Sequence, residues 1–139
     1  MAENLFSRHE LAGPYRLSAQ QAKILDEQLR PLSLTALRFT PHSVQNSSEF
    51  LAQLGQTLAL PDQFGANFDA LYDSLCDTTL LPQANLIMVI EKIEGLEEED
   101  CDTLIAVLQA AADEWREQGR CLWALFPVQG IDLDTLPKA

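Results

Sequence analysis

Positive charge and glycine are both scarce in this sequence of 139 residues. It has 9 Lys+Arg against 21 Asp+Glu, which gives a formal net charge of −12 at pH 7. Binding to nucleic acid or to an anionic membrane surface requires Lys and Arg near the phosphates, so we expect neither as a direct partner. The 6 glycines form no G-x-G-x-x-G motif and no P-loop. The sequence therefore lacks the phosphate-binding loops of dinucleotide-binding and P-loop enzymes.

The sequence also contains few cysteines and histidines and no long apolar run. The 3 cysteines are odd in number and include no C-x-x-C pair, and the 2 histidines lie in no zinc motif. The sequence therefore predicts a protein of the reducing cytoplasm without a disulfide framework. Since no serine lies in a G-x-S-x-G motif either, we expect no metal, no cofactor and no enzyme of a familiar type. The apolar run at 86–90 is too short to span a membrane, and the N-terminus lacks the apolar region of a signal peptide.

Capping residues and apolar periodicity predict several helices. Ser18 and Gln21 form the pattern of a capping box at the start of a first helix. Asn46 caps a second helix, and a third follows at 67–77 with one apolar face. The longest predicted helix covers 100–118 and ends before a glycine.

Apolar segments between these helices predict strands at 34–40, 86–90 and 122–126. The run at 86–90 has no alternation, which is typical of a parallel strand covered on both faces. Strands separated by helices predict an α/β fold with a small three-stranded parallel sheet flanked by helices.

We interpret residues 1–33 as an N-terminal extension with one helix and residues 34–128 as the main domain. Residues 129–139 are interpreted as a short polar tail at the surface. The acidity belongs largely to the main domain and its tail, because residues 39–139 carry 17 acidic and 4 basic side chains. An acidic surface of this kind favours basic partners.

Two aspartates on the third predicted helix stand out. Asp69 and Asp73 are four positions apart, so their carboxylates lie on one face, where like charges destabilise an isolated helix by about 0.2–0.5 kcal/mol. Tyr72 lies between them. The arrangement is either a preformed surface for a cationic partner or a solvated helix face with Tyr72 in the core.

Residues 62–77, DQFGANFDALYDSLCD, strongly resemble the signature of the barstar family of ribonuclease inhibitors. That signature is aromatic-Gly-x-Asn-apolar-Asp-Ala-Leu-aromatic-Asp, and it follows a helix that ends in Leu-Pro, as here. The order of predicted strands and helices is also similar over about residues 37–126, whereas 1–33 lie outside the resemblance. The resemblance implies a compact, barstar-like α/β fold with three parallel strands.

The resemblance also implies a function as an immunity or antitoxin protein rather than an enzyme. Such a protein blocks the active site of a basic, barnase-type ribonuclease or related toxin with an acidic helix and the loop before it. Asp73 is then the central anchor, which replaces the substrate phosphate through charge-assisted hydrogen bonds, and Asp69 is the second acid. The other partner-binding residues that the resemblance implies are Gln63, Phe64, Gly65, Asn67, Phe68, Tyr72 and Glu114.

Three positions depart from the founding inhibitor of the family. Gln63 stands in place of a contacting tyrosine, Tyr72 in place of a tryptophan, and Ala66 in place of a glutamate. The acidic anchors are retained while their surroundings differ, which leaves the partner's identity open. One alternative is an acidic protein-binding module for a basic partner or toxin that is not a ribonuclease. Another is a carboxylate-based metal or hydrolytic enzyme that uses Asp69, Asp73 and Glu114.

Overall fold

Helices and strands alternate along the chain. The computed structural model describes residues 4–61 and 64–138, so the loop residue Gln63 lies outside the described residues. Short 3₁₀ turns precede the first strand and follow the first helix. The elements of the described residues are β1 Pro14–Arg16, α1 Ala19–Leu29, β2 Ala36–Phe39, α2 Ser47–Thr57, α3 Phe68–Leu75, β3 Asn85–Ile90, α4 Glu98–Glu117 and β4 Cys121–Phe126.

Side-chain caps begin the first two helices, as the sequence predicts. The Ser18 hydroxyl accepts a hydrogen bond from the Gln21 amide, and the Gln21 side chain accepts one from the Ser18 amide. Asn46 accepts a hydrogen bond from the Glu49 amide at the start of α2. No helix in the described part of the chain is long and apolar enough to cross a membrane.

In the described residues the strands form one parallel sheet of four strands, in the order β1-β4-β3-β2. The predicted α/β fold with a parallel sheet flanked by helices is confirmed, but the predicted number of three strands is wrong. The additional strand, β1, pairs with β4 from Pro14 opposite Ala124 to Arg16 opposite Phe126. A strand of 3 residues that begins with proline has no alternating pattern by which a sequence could reveal it.

The sheet is buried on both faces, as the unbroken apolar run of β3 predicts. Met88 and Ile90 lie in one core, which we call the helical core because α2, α3 and α4 cover it. Ile87 and Val89 point to the opposite core together with Trp123. We call this the N-terminal core.

Segments before and after the main domain cover the N-terminal core. The ring of Phe6 packs edge-on against Trp123 with 4.9 Å between the ring centroids, and Leu25 from α1 is fully buried there. The C-terminal segment is hydrogen-bonded to β1, since the Leu136 amide donates to the Arg16 carbonyl at 2.8 Å. The prediction of a polar surface tail is wrong at Leu136 and Ile131, whose side chains are buried.

Candidate functional site

The entry to α3 is a tight loop fixed by Asn67. Its side-chain oxygen accepts a hydrogen bond from the Ala70 amide at 2.8 Å, which caps the helix. Its side-chain nitrogen donates to the Gly65 carbonyl at 3.4 Å. Ala66 between them has φ +50°, a left-handed backbone conformation that L-residues seldom adopt. The structure therefore brings the predicted site residues Gly65 and Asn67 together in one turn.

Phe64 attaches this loop to α2. Its half-buried ring lies on Gly55, where a Cβ atom would stand 2.5 Å from the ring's Cδ2. A glycine inside a helix costs roughly 0.5–1 kcal/mol relative to alanine. Here the missing side chain makes room for the Phe64 ring, which explains a glycine at this position.

The carboxylates of Asp69 and Asp73 are exposed on the outer face of α3, while Leu71 and Leu75 bury its inner face. The two aspartates are one turn apart, about 6 Å along the helix axis. Neither forms an ion pair within residues 4–61 and 64–138, where the ion pairs involve other acids. The helix dipole favours Asp69 in the first turn, whereas Asp73 lies too far along the helix to benefit. Among the described residues the repulsion predicted from the sequence is therefore offset only in part, by the dipole at Asp69, and by no ion pair.

Aromatic and polar side chains flank the acid pair. Phe68 and Tyr72 are half-buried and pack against the helical core. The Cys76 thiol, with smaller effects from Glu114 and Asp73, raises the pKa of Tyr72 above its usual value. Tyr72 therefore stays a neutral hydroxyl group over the physiological range. Glu114 of α4 is half-buried, and its charge contributes to the raised pKa of Tyr72.

Cys76 is a protonated thiol at neutral pH. Burial is the main cause that raises the pKa of Cys76, and the Glu114 and Asp73 carboxylates act in the same direction. All of the cysteines are free. Cys76 thus packs beside the acid pair as a weakly reactive group.

Trp115 fixes α3 against α4. Its indole Nε1 donates a buried hydrogen bond of 2.7 Å to the carbonyl of Leu75 at the end of α3. The guanidinium of Arg120 lies over the Trp115 ring, 3.7 Å from the centroid, and also donates to the Leu81 carbonyl. Apolar periodicity along the longest predicted helix puts Trp115 on its buried face, and the side chain is fully buried. Its hydrogen bond to the site helix could not be predicted, because the partner carbonyl is 40 residues away.

Replacing Trp115 by phenylalanine is expected to destabilise the protein more than replacing Trp123 by phenylalanine. Both indoles are fully buried, but Nε1 of Trp123 has no hydrogen-bond partner among the described residues. Both substitutions shrink a core side chain, whereas Trp115→Phe also leaves the buried Leu75 carbonyl unpaired, at about 1–3 kcal/mol. Urea unfolding of the two variants measures this difference. Equal losses of unfolding free energy would show that the hydrogen bond contributes nothing.

An open groove of about 520 Å³ runs between α3 and α4. Its α3 side carries Asp69, Tyr72 and Asp73, while its α4 side is formed by residues that sequence reasoning missed: Thr103, Ala106, Val107 and Ala110. The sequence does mark this side of the groove, because residues 103–112 carry no charged side chain although the chain is strongly acidic. No group of three or more His, Cys, Asp or Glu side chains in the described residues is placed to hold a metal ion.

Fold and site together define a class of small parallel α/β proteins with an exposed acidic helix face. The chain matches the family model described as Barstar (barnase inhibitor) over residues 34–127. Because this match spans more than half of the chain, the protein belongs to the barstar family, a family of inhibitors, and the resemblance seen in the sequence is confirmed. A comparison with the curated proteins finds no match. The matched residues include α3, α4 and the groove, while β1 and α1 lie outside them.

Proposed function

We propose that this protein is not an enzyme but an inhibitor that occludes the active site of a basic, barnase-type ribonuclease or related toxin. The observation that carries the proposal is the pair of exposed carboxylates of Asp69 and Asp73 on α3, which form no ion pair among the described residues. Membership of an inhibitor family supports it. Two adjacent like charges are unfavourable in the free protein, and a cationic partner turns them into a favourable interaction.

In the proposed complex the carboxylate of Asp73 takes the place of the substrate phosphate. Cationic side chains that hold phosphate also bind carboxylate, through charge-assisted hydrogen bonds. Asp69 binds beside it, and Glu114 extends the acidic surface from α4. Because both aspartates lie on a capped helix, they are held in place before the partner arrives, which lowers the entropic cost of binding.

The neighbouring residues position the loop and supply contact area. Asn67 and Gly65 fix the turn into α3, and Phe64 anchors that turn on α2. Phe68 and Tyr72 present rigid rings at the edge of the acid pair, a type of residue enriched at protein interfaces. We include Gln63 as a contact because of its place in the family motif.

Long-range charge supports the same proposal. A net charge of −12 attracts a basic nuclease and repels RNA, so it accelerates the encounter with the nuclease. We place the protein in the cytoplasm of the cell that makes the nuclease. Its free thiols are compatible with that compartment.

Titration of a purified barnase-type ribonuclease with the full chain tests the proposal. We expect RNA cleavage to fall to the background level at one inhibitor per nuclease, and the association rate to decrease as salt is added. A basic ribonuclease of unrelated fold serves as the control and should keep its activity. Full cleavage at a large excess of the chain contradicts the ribonuclease proposal. If the chain then binds a basic protein without nuclease activity, the alternative of a general acidic binding module is favoured.

A further inference from the structure

The two outer edges of the sheet differ in what covers them. At the β1 edge the C-terminal segment lies alongside the strand: Arg16 and Thr135 form a parallel bridge, and backbone hydrogen bonds join Arg16 to Asp134 and Leu136. β2 is the other edge, and no strand of the described residues pairs with its outer side. A strand edge with unpaired N–H and C=O groups is a template for pairing with another strand. The open β2 edge therefore needs an explanation that the β1 edge does not.

Ala36 and Arg38 direct their backbone groups to this open side. The Phe39 carbonyl accepts a hydrogen bond of 2.8 Å from the Glu91 amide, so the backbone groups of Phe39, and of Leu37 two positions before it, face β3. Successive residues of a strand direct their N–H and C=O groups to opposite sides, so those of Ala36 and Arg38 point outward. In the described part of the chain, no hydrogen bond reaches them from that side.

The charged side chains at this edge balance one another. A cavity of about 510 Å³ opens beside β2 and is lined in part by Asp26, Arg30 and Arg38. Arg38 forms ion pairs with Asp26 at 3.2 Å and with Glu91 at 3.1 Å. The edge thus carries two basic and two acidic side chains, in a chain with 9 basic and 21 acidic residues. Two copies of so acidic a chain repel each other over most of their surfaces. A patch with both signs in equal number is instead complementary to itself across a two-fold axis.

We propose that the β2 edge binds a second copy of this chain, with the two β2 strands antiparallel about a two-fold axis. Ala36 of one copy lies opposite Arg38 of the other, and the two residues exchange a pair of hydrogen bonds; the axis generates a second such pair. Leu37, which is half-buried in one copy, lies opposite Leu37 of the second copy, at the closely spaced position where side chains pack. The resulting sheet is continuous through both copies, and C-terminal segments cover both of its outer edges. This pairing does not depend on the proposed function.

Sedimentation velocity over a wide range of protein concentration tests the pairing. We expect the native chain to change from monomer to dimer as the concentration rises. Ala36→Pro removes an outward amide donor, and an edge strand tolerates proline where the N–H faces solvent. The two-fold axis doubles this loss to two hydrogen bonds, so Ala36→Pro should weaken dimerisation roughly ten-fold or more. Ala36→Ser keeps the amide and is the matched control, which should dimerise as the native chain does. A native chain that stays monomeric throughout overturns the proposal, as does a dimer that Ala36→Pro leaves unchanged.

Amide hydrogen exchange of the native chain is a second measurement and needs no variant. The amides of Ala36 and Arg38 should exchange more slowly as the concentration rises, because only the dimer bonds them. The Leu37 amide faces β3 in monomer and dimer alike, so its exchange should change far less. If a dimer forms while the exchange at Ala36 and Arg38 stays constant, the contact lies elsewhere and the proposal is wrong. If these amides are protected only when a nuclease is added, the edge serves that partner and not a second copy.

Discussion

A chain that begins at Leu34 is expected not to fold. Deletion of residues 1–33 removes β1 and α1 and exposes the N-terminal core on one face of the sheet. Ile87, Val89, Trp123 and Leu125 are at most 2% exposed in the full chain, and all four would then face water. Fully burying one such side chain contributes about 1.5–3 kcal/mol, so exposing four cancels much of the 5–15 kcal/mol that stabilises a typical domain.

Circular dichroism, thermal denaturation and sedimentation of the shortened chain measure this outcome. Point substitutions in the full chain provide the graded control. Leu25→Ala, at a fully buried position of α1, should cost about 2–5 kcal/mol. Ile24→Ala, next to it and half-buried, should cost clearly less. A monomeric chain of residues 34–139 with a cooperative thermal transition would show instead that the N-terminal segment is a dispensable extension.

The sequence predicts that the sheet has a second covered face, but not which segments cover it. The unbroken apolar run of β3 predicts a strand with two covered faces, and the capping box at Ser18 correctly predicts α1. What covers the second face depends on contacts between distant residues. Phe6 packs against Trp123. Arg16 lies opposite Phe126 of β4, and its backbone is hydrogen-bonded to Asp134 and Leu136 of the C-terminal segment. Neither contact leaves a periodic pattern in the N-terminal segment.

The same division applies to the candidate site. The spacing of Asp69 and Asp73 is a local property of one helix, so their common face could be predicted from the sequence. The cap by Asn67 is equally local. The contribution of α4 to the groove depends on how two helices pack, which neither helix encodes alone. The rotation of α4 is fixed by buried residues such as Trp115, and this rotation makes Val107 line the same groove as Asp73.

Replacing Asp73 by asparagine is expected to weaken inhibition and at the same time to stabilise the free protein. Asparagine keeps the shape of the side chain but removes its charge, so it loses charge-assisted hydrogen bonds of about 1.5–3 kcal/mol, or roughly ten- to hundred-fold in affinity. In the free protein the substitution relieves the repulsion from Asp69, worth about 0.2–0.5 kcal/mol. Inhibition titrations and urea unfolding of the same preparation measure the two effects.

Asp132→Asn is the matched control, because Asp132 is exposed and lies outside the groove. It changes the net charge by the same amount, so it accounts for any loss of long-range attraction. If Asp73→Asn and Asp132→Asn weaken inhibition equally, Asp73 contributes only to the overall charge and not to a specific contact. If Asp73→Asn weakens inhibition far more, while raising the unfolding free energy, the repulsion within the acid pair is a cost that the free protein bears for binding. Opposite signs for affinity and stability are what a helix face shaped by a cationic partner should show.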